Sequence, residues 1–70
     1  GVPALKESVK DLSLLGIISG KNPQAIIEDK KEGKTHIVNK GDAIGFLQVE
    51  EIMESKVILN YRGERVDLVL

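Results

Sequence analysis

The stretch L-S-L-L-G-I-I-S-G-K-N-P-Q-A-I-I-E-D, Leu12 to Asp29, decides the fold of this 70-residue chain. Two apolar runs flank a cluster of turn formers, and everything downstream supplies further strands to bury them. From Leu12 the apolar period is two, which sets Leu12, Leu14, Gly16 and Ile18 on one face and Ser13, Leu15, Ile17 and Ser19 on the other. Both faces are apolar in the middle. That fits either a strand covered on two sides or a strand whose second face meets a partner. Gly16 removes a side chain in mid-strand, and a bend or close backbone approach inside the fold is its first explanation, a bound strand its second. Gly20, Asn22 and Pro23 turn the chain. The second strand is Gln24 to Asp29, with Ala25 and Ile27 on one face and Ile26 on the other.

The remaining chain reads as further hairpins. Lys30 to Gly33 is a charged loop ending on a glycine suited to the left-handed conformation, and Thr35 to Val38 is the third strand, with His36 on the wetter face opposite Ile37. Asn39 to Asp42 is a turn. The run G-D-A-I-G from Gly41 to Gly45 lacks the Lys-Ser/Thr and helix start of a phosphate loop, so it reads as a tight corner that tucks Ile44 into the core. Phe46 to Ile52 is the fourth strand, with Leu47 and Val49 inward, and the slip in period before Ile52 calls for a β-bulge near Glu50 and Glu51. Glu54 and Ser55 centre the next turn. Lys56 to Tyr61 and Glu64 to Leu70 are the fifth and sixth strands, joined by a two-residue turn at Arg62-Gly63. That turn opposes Tyr61 to Glu64, Leu59 to Val66 and Val57 to Leu68 on a dry face, and Asn60 to Arg65 and Ile58 to Asp67 on a polar one. Ahead of Leu12, Gly1 to Lys10 fits two helical turns after Pro3, with Leu5, Val9 and Leu12 near one face, and an extended lead-in equally well. The fold class expected is all-β, a small six-stranded sandwich of two antiparallel sheets or a partly closed barrel.

Composition narrows the function. Ten basic and eleven acidic residues, spread along the chain, leave a net charge of −1, which gives no field to gather phosphate backbone, so no nucleic acid partner is expected. Phe46 and Tyr61 are the whole aromatic complement, too few for a stacking platform and expected to serve as core or edge packing. Cysteine is absent and His36 has no second ligand at metal-binding spacing, so no metal site, cofactor or catalytic residue is expected. The adjacent Glu50 and Glu51, as neighbours on a strand, are expected to diverge into solvent rather than act as an acid and base pair. No apolar run has the length of a membrane span, and no signal peptide pattern opens the chain. With little room for an enzyme cleft, the expectation is a binding module that works through a sheet edge. The first strand is the candidate edge.

The order L-L-G-I-I-S-G-K-N-P-Q-A-I-I-E-D (Leu14 to Asp29), a charged hairpin, V-N-K-G-D-A-I-G (Val38 to Gly45), V-x-x-I (Val49 to Ile52) and K-V-I-L-N-Y-R-G (Lys56 to Gly63) resembles the periplasmic homology-region domain of the inner-membrane protein C of bacterial type II secretion systems. It is similar, more loosely, to the lipoprotein P of type IV pilus assembly. The resemblance covers Leu12 to Leu70 and implies a six-stranded sandwich in the periplasm, held there by an N-terminal anchor in the inner membrane. On that reading residues 1–11 are a lead-in from a membrane-anchored part, Gly1 marks a domain cut from a longer chain, and residues 12–70 are the homology-region-like domain. The partner implied is the N-terminal periplasmic domain of the outer-membrane secretin, alongside other inner-membrane secretion or pilus components. Carried onto this sequence, the contact falls on Leu15, Gly16, Ile17, Ile18 and Ser19. Two other readings are a structural appendage of a multidomain envelope protein and a small nucleic-acid-binding β-barrel.

Overall fold

A computed structural model of the chain describes residues 2–70, with side chains described from Lys6 onward. Gly1, and the facing expected of the Leu5 side chain, lie outside the described residues. Helix α1 spans Val2–Val9, and seven strands follow: β1 (Leu12–Ile18), β2 (Gln24–Asp29), β3 (Lys34–Asn39), β4 (Ala43–Ile44), β5 (Leu47–Ile52), β6 (Lys56–Tyr61) and β7 (Glu64–Val69). They make two antiparallel sheets, ordered β1-β2-β3 and β4-β5-β6-β7. The result is a sandwich and not a closed barrel. The strand beyond the six expected is the two-residue β4, formed where the Gly41 to Gly45 corner brings Ile44 opposite Leu47. At the helix, Val9 packs against the core. A 2.9 Å ion pair from Lys10 to Glu7 holds the Glu7 carboxyl below its ordinary range.

Each sheet gives its alternate residues to one shared core. Leu12, Leu14, Ala25, Ile27 and Val38 face Ile44, Leu47, Val49, Ile52, Val57 and Leu59, all buried. Burying each of the larger side chains removes apolar area from water worth about 1.5–3 kcal/mol. Among the described residues no polar or charged side chain is buried, so the layer is dry. The β6–β7 hairpin takes the expected register pair by pair. Arg62 at φ 52° and Gly63 at φ 84° form the turn between them, the left-handed pair that matches strand twist in a two-residue loop. Asn60 Oδ1 accepts a 2.8 Å bond from the Gly63 N–H and fixes that turn from the strand side.

Bulges, which the alternation cannot survive without, sit in β1 and β5. In β5 the register shifts between Val49 and Glu51, as the slip before Ile52 requires, and Ile52 returns to the core. A consequence runs against expectation: two residues now oppose one, so Glu50 and Glu51 share the outer face instead of diverging. Neither is free in water. Glu50 accepts from Asn60 Nδ2 at 2.8 Å and pairs with Arg65 Nε at 2.9 Å, while Glu51 meets Lys40 Nζ at 2.9 Å.

In β3 the faces are the reverse of those expected. Asp29 pairs with Lys34 across the Lys30 to Gly33 loop, which places His36 opposite the core residue Ile27 and Ile37 opposite the outward Ile26. His36 is half-buried on the inner face, and Ile37 is 59% exposed. Loop length decides the register here and overrides side-chain polarity. Of the core or edge packing expected of Phe46, the core is excluded: it stands 76% exposed, with its ring tilted against Tyr61 at 5.9 Å.

The two isoleucines of the central and edge strands therefore separate by face. Ile27→Ala is expected to cost about 2–5 kcal/mol through the cavity it leaves, and Ile37→Ala within about 0.5 kcal/mol, read as midpoint shifts in urea unfolding. Equal costs would contradict the β2–β3 register.

Candidate functional site

Among the described residues, strand β1 pairs with β2 on one side and with no strand on the other, so it is an edge of the three-stranded sheet. An edge strand carries a row of outward N–H and C=O groups that can pair with another chain. Nothing in the sequence of β1 blunts it: L-S-L-L-G-I-I has no charge and no proline.

The β1 bulge shapes what that edge presents. Leu14 pairs with Ile27 and Gly16 with Ile26, leaving Leu15 as the extra residue. Leu15 and Gly16 thus both oppose the outward-facing Ile26, and the strand resumes with Ile17 opposite Ala25 in the core. The facing expected for the second half of the strand is inverted as a result. Ile17 is half-buried and packs on the core, whereas Ile18 is 45% and Leu15 54% exposed. Of the five residues singled out from the sequence, Leu15, Gly16, Ile18 and Ser19 lie on the accessible side or end of the edge. Ile17 contributes only its backbone there. The bulge was the missing signal, since four apolar residues around one glycine give no polar landmark to reveal a skipped position.

A row of apolar groups runs inward from this edge over the outer face of the sheet. Gly16 pairs with Ile26 and Ile26 with Ile37, and the flanking rows, Ser13-Glu28-Thr35 and Ile18-Gln24-Asn39, are mostly polar. An apolar strip with a polar border is the usual make-up of a protein contact.

Elsewhere the surface offers less. A half-open cleft of about 530 Å³ lies between the end of α1, the β2–β3 loop and the β4–β5 corner, floored by Leu12, Ile44 and Leu47 and rimmed by charges of both signs. Among the described residues no group of histidines and carboxylates could hold a metal ion. Likewise no described helix is long and apolar enough to cross a membrane.

Among solved structures, the chain is similar to one from the crystal structure of the enterotoxigenic Escherichia coli GspC-GspD complex from the type II secretion system. The two are 32% identical with a TM-score of 0.76, over 86% of this chain and 92% of that one. No family model matches this chain, and no curated protein matches it.

Opposite facing makes Ile17 and Ile18 separable. Ile17→Asp puts an unpaired charge against the core and is expected to cost about 3 kcal/mol or more, enough to unfold a domain this small. Ile18→Asp is expected to keep the native spectrum and to shift stability by about 1 kcal/mol at most. Circular dichroism and thermal melting of the two variants distinguish them.

Proposed function

This chain belongs to the family of homology-region domains of the type II secretion protein GspC, and on that premise we propose that it is a non-enzymatic docking domain for the secretin GspD. Its partner is the N-terminal periplasmic domain of the secretin, and the contact runs along the free edge of β1. The domain works in the periplasm, tethered to the inner membrane through a segment N-terminal to α1. In this role it couples the inner-membrane assembly to the outer-membrane pore.

One observation carries the reading. β1 is paired on a single side, and its bulge turns Leu15, Gly16 and Ile18 outward beside unpaired backbone, in a chain 32% identical to one from a GspC-GspD complex. Strand addition explains how so small a domain can be specific without a pocket. Main-chain hydrogen bonds supply the affinity, and alternate side chains supply the selection. Because few side chains take part, affinity on the order of micromolar is expected, and membrane tethering raises the effective concentration of the partner. The same likeness favours type II secretion over type IV pilus assembly as the setting.

Titration calorimetry with the purified N-terminal periplasmic domain of the secretin tests this. The native domain is expected to bind, and Leu15→Asp and Ile18→Asp to weaken binding by about tenfold or more while remaining folded. Unchanged binding by both folded variants would remove β1 as the contact, and no binding by the native domain would remove the secretin as the partner.

A further inference from the structure

We propose that Gly16 is a specificity-determining position: its missing side chain leaves a notch on the outer face of the three-stranded sheet that receives an aromatic side chain from the strand docked on β1. The inference rests on the docking reading above and adds to it the chemistry of the residue that the partner must present.

Glycine weakens a strand, because it gives up the most backbone freedom on folding and offers nothing to pack. A glycine in a strand therefore calls for a reason, and the usual ones are a left-handed conformation or a close backbone approach. Neither holds at Gly16. Its φ is not positive, unlike those of Gly33, Gly41, Gly45 and Gly63, each of which sits in a turn or corner. A Cβ built on it would meet one neighbour, Ile26 Cδ1, at 3.9 Å, an ordinary van der Waals distance. The bulge does not need it either, since the extra residue is Leu15. Nothing among the described residues requires this position to be empty.

Its surroundings say what the emptiness serves. Leu15 and Ile18 stand exposed on the same face to either side, and Ile26 forms the half-buried floor. Beyond Ile26 in the same row lies the exposed Ile37. The glycine is thus the open end of an apolar trough that starts at the free edge and runs across the sheet. A strand added antiparallel to β1 places one residue directly opposite Gly16, with its Cβ about 4.5–5.5 Å from the cross-strand position and its side chain on the same face. With no Cβ in the way, a ring on that residue can lie over Gly16 and reach Ile26. Aromatic side chains across from an edge glycine restore the packing that the glycine lacks, and they do so with few rotamers to freeze. The notch, being beside the unpaired backbone, becomes useful only when that backbone is paired.

The test uses this domain, its Gly16→Ala and Gly16→Val variants, and the N-terminal periplasmic domain of the secretin as probe. Both variants are expected to keep the native spectrum with an unchanged or raised melting temperature. Affinity is expected to fall about threefold for Gly16→Ala and about thirtyfold for Gly16→Val as the notch fills. In the native domain, the Ile26 δ1 methyl resonance is expected to move upfield on binding, as a ring over Gly16 requires. If Gly16→Val binds within about twofold of the native domain while Ile18→Asp still weakens binding, the notch is wrong and edge docking stands. An Ile26 methyl that does not move upfield overturns the aromatic occupant. If Leu15→Asp and Ile18→Asp also bind normally, docking on β1 fails and the notch with it. Should Gly16→Val lose its native spectrum, the premise that the fold tolerates a side chain here is overturned for branched residues, and Gly16→Ala then decides between notch and strain: a folded variant with weakened binding supports the notch, and a variant with a lowered melting temperature ends it.

Discussion

Facing is the constraint on which this structure depends. Two thin sheets share a single dry layer, and a strand offset by one residue would turn its apolar set out to water and its polar set in. With eleven buried apolar side chains among the described residues and no cysteine in the chain, the domain has little with which to offset such an error. The bulges at Leu15 and Glu50 are how the chain meets that constraint where its apolar spacing breaks. Each inserts one residue on the solvent side and returns the next apolar residue to the core, Ile17 in one strand and Ile52 in the other. What each does with the spare residue differs. At β5 it is absorbed by Asn60 and Arg65, and at β1 it is left open.

How much of this was legible in the sequence depended on whether a polar landmark fixed the phase. The β6–β7 hairpin was legible pair by pair, because Arg62-Gly63 admits one turn and the alternation on either side is clean. The bulge in β5 was legible too, since two glutamates between Val49 and Ile52 mark the skipped position. In β1, Leu14, Leu15, Ile17 and Ile18 are interchangeable in hydropathy, so the sequence showed two apolar faces without showing where the phase jumps. For β3 the polarity of His36 pointed outward and that of Ile37 inward, and the four-residue loop before them required the opposite. Histidine tolerates a half-buried rim and isoleucine an exposed row, so the cost of that reversal is modest. For Phe46 the sequence left core and edge packing open, and packing on Tyr61 while standing out in water is compatible with a ring at a corner.

The candidate site was legible as a place before it was legible as a surface. The apolar second face of the first strand pointed to an edge, and the sheet order β1-β2-β3 leaves β1 with one neighbour. Which side chains it shows follows from the bulge alone. The outward set is Leu15, Gly16 and Ile18, and Ile17 holds the strand to the core behind them. On the docking proposal, recognition and stability fall to adjacent residues of one strand, with opposite duties set by the pleat. Opposite this edge, the other sheet has a polar outer face braced by the pairs Arg65–Glu50, Lys40–Glu51 and Lys56–Asp67. Exposed pairs of this kind add little stability, and they keep that surface unattractive to apolar segments.

By its backbone alone, an uncharged, proline-free edge cannot tell a foreign strand from its own twin. Proteins commonly guard such edges with lysine, proline or a cover, and β1 has only the twist of its bulge. Crowded copies of the domain would therefore compete with the intended partner by zipping together along the same strip. In the proposed role, anchoring each copy at a fixed, low density beside its target would restrain that reaction, and solubility and placement would become a single requirement.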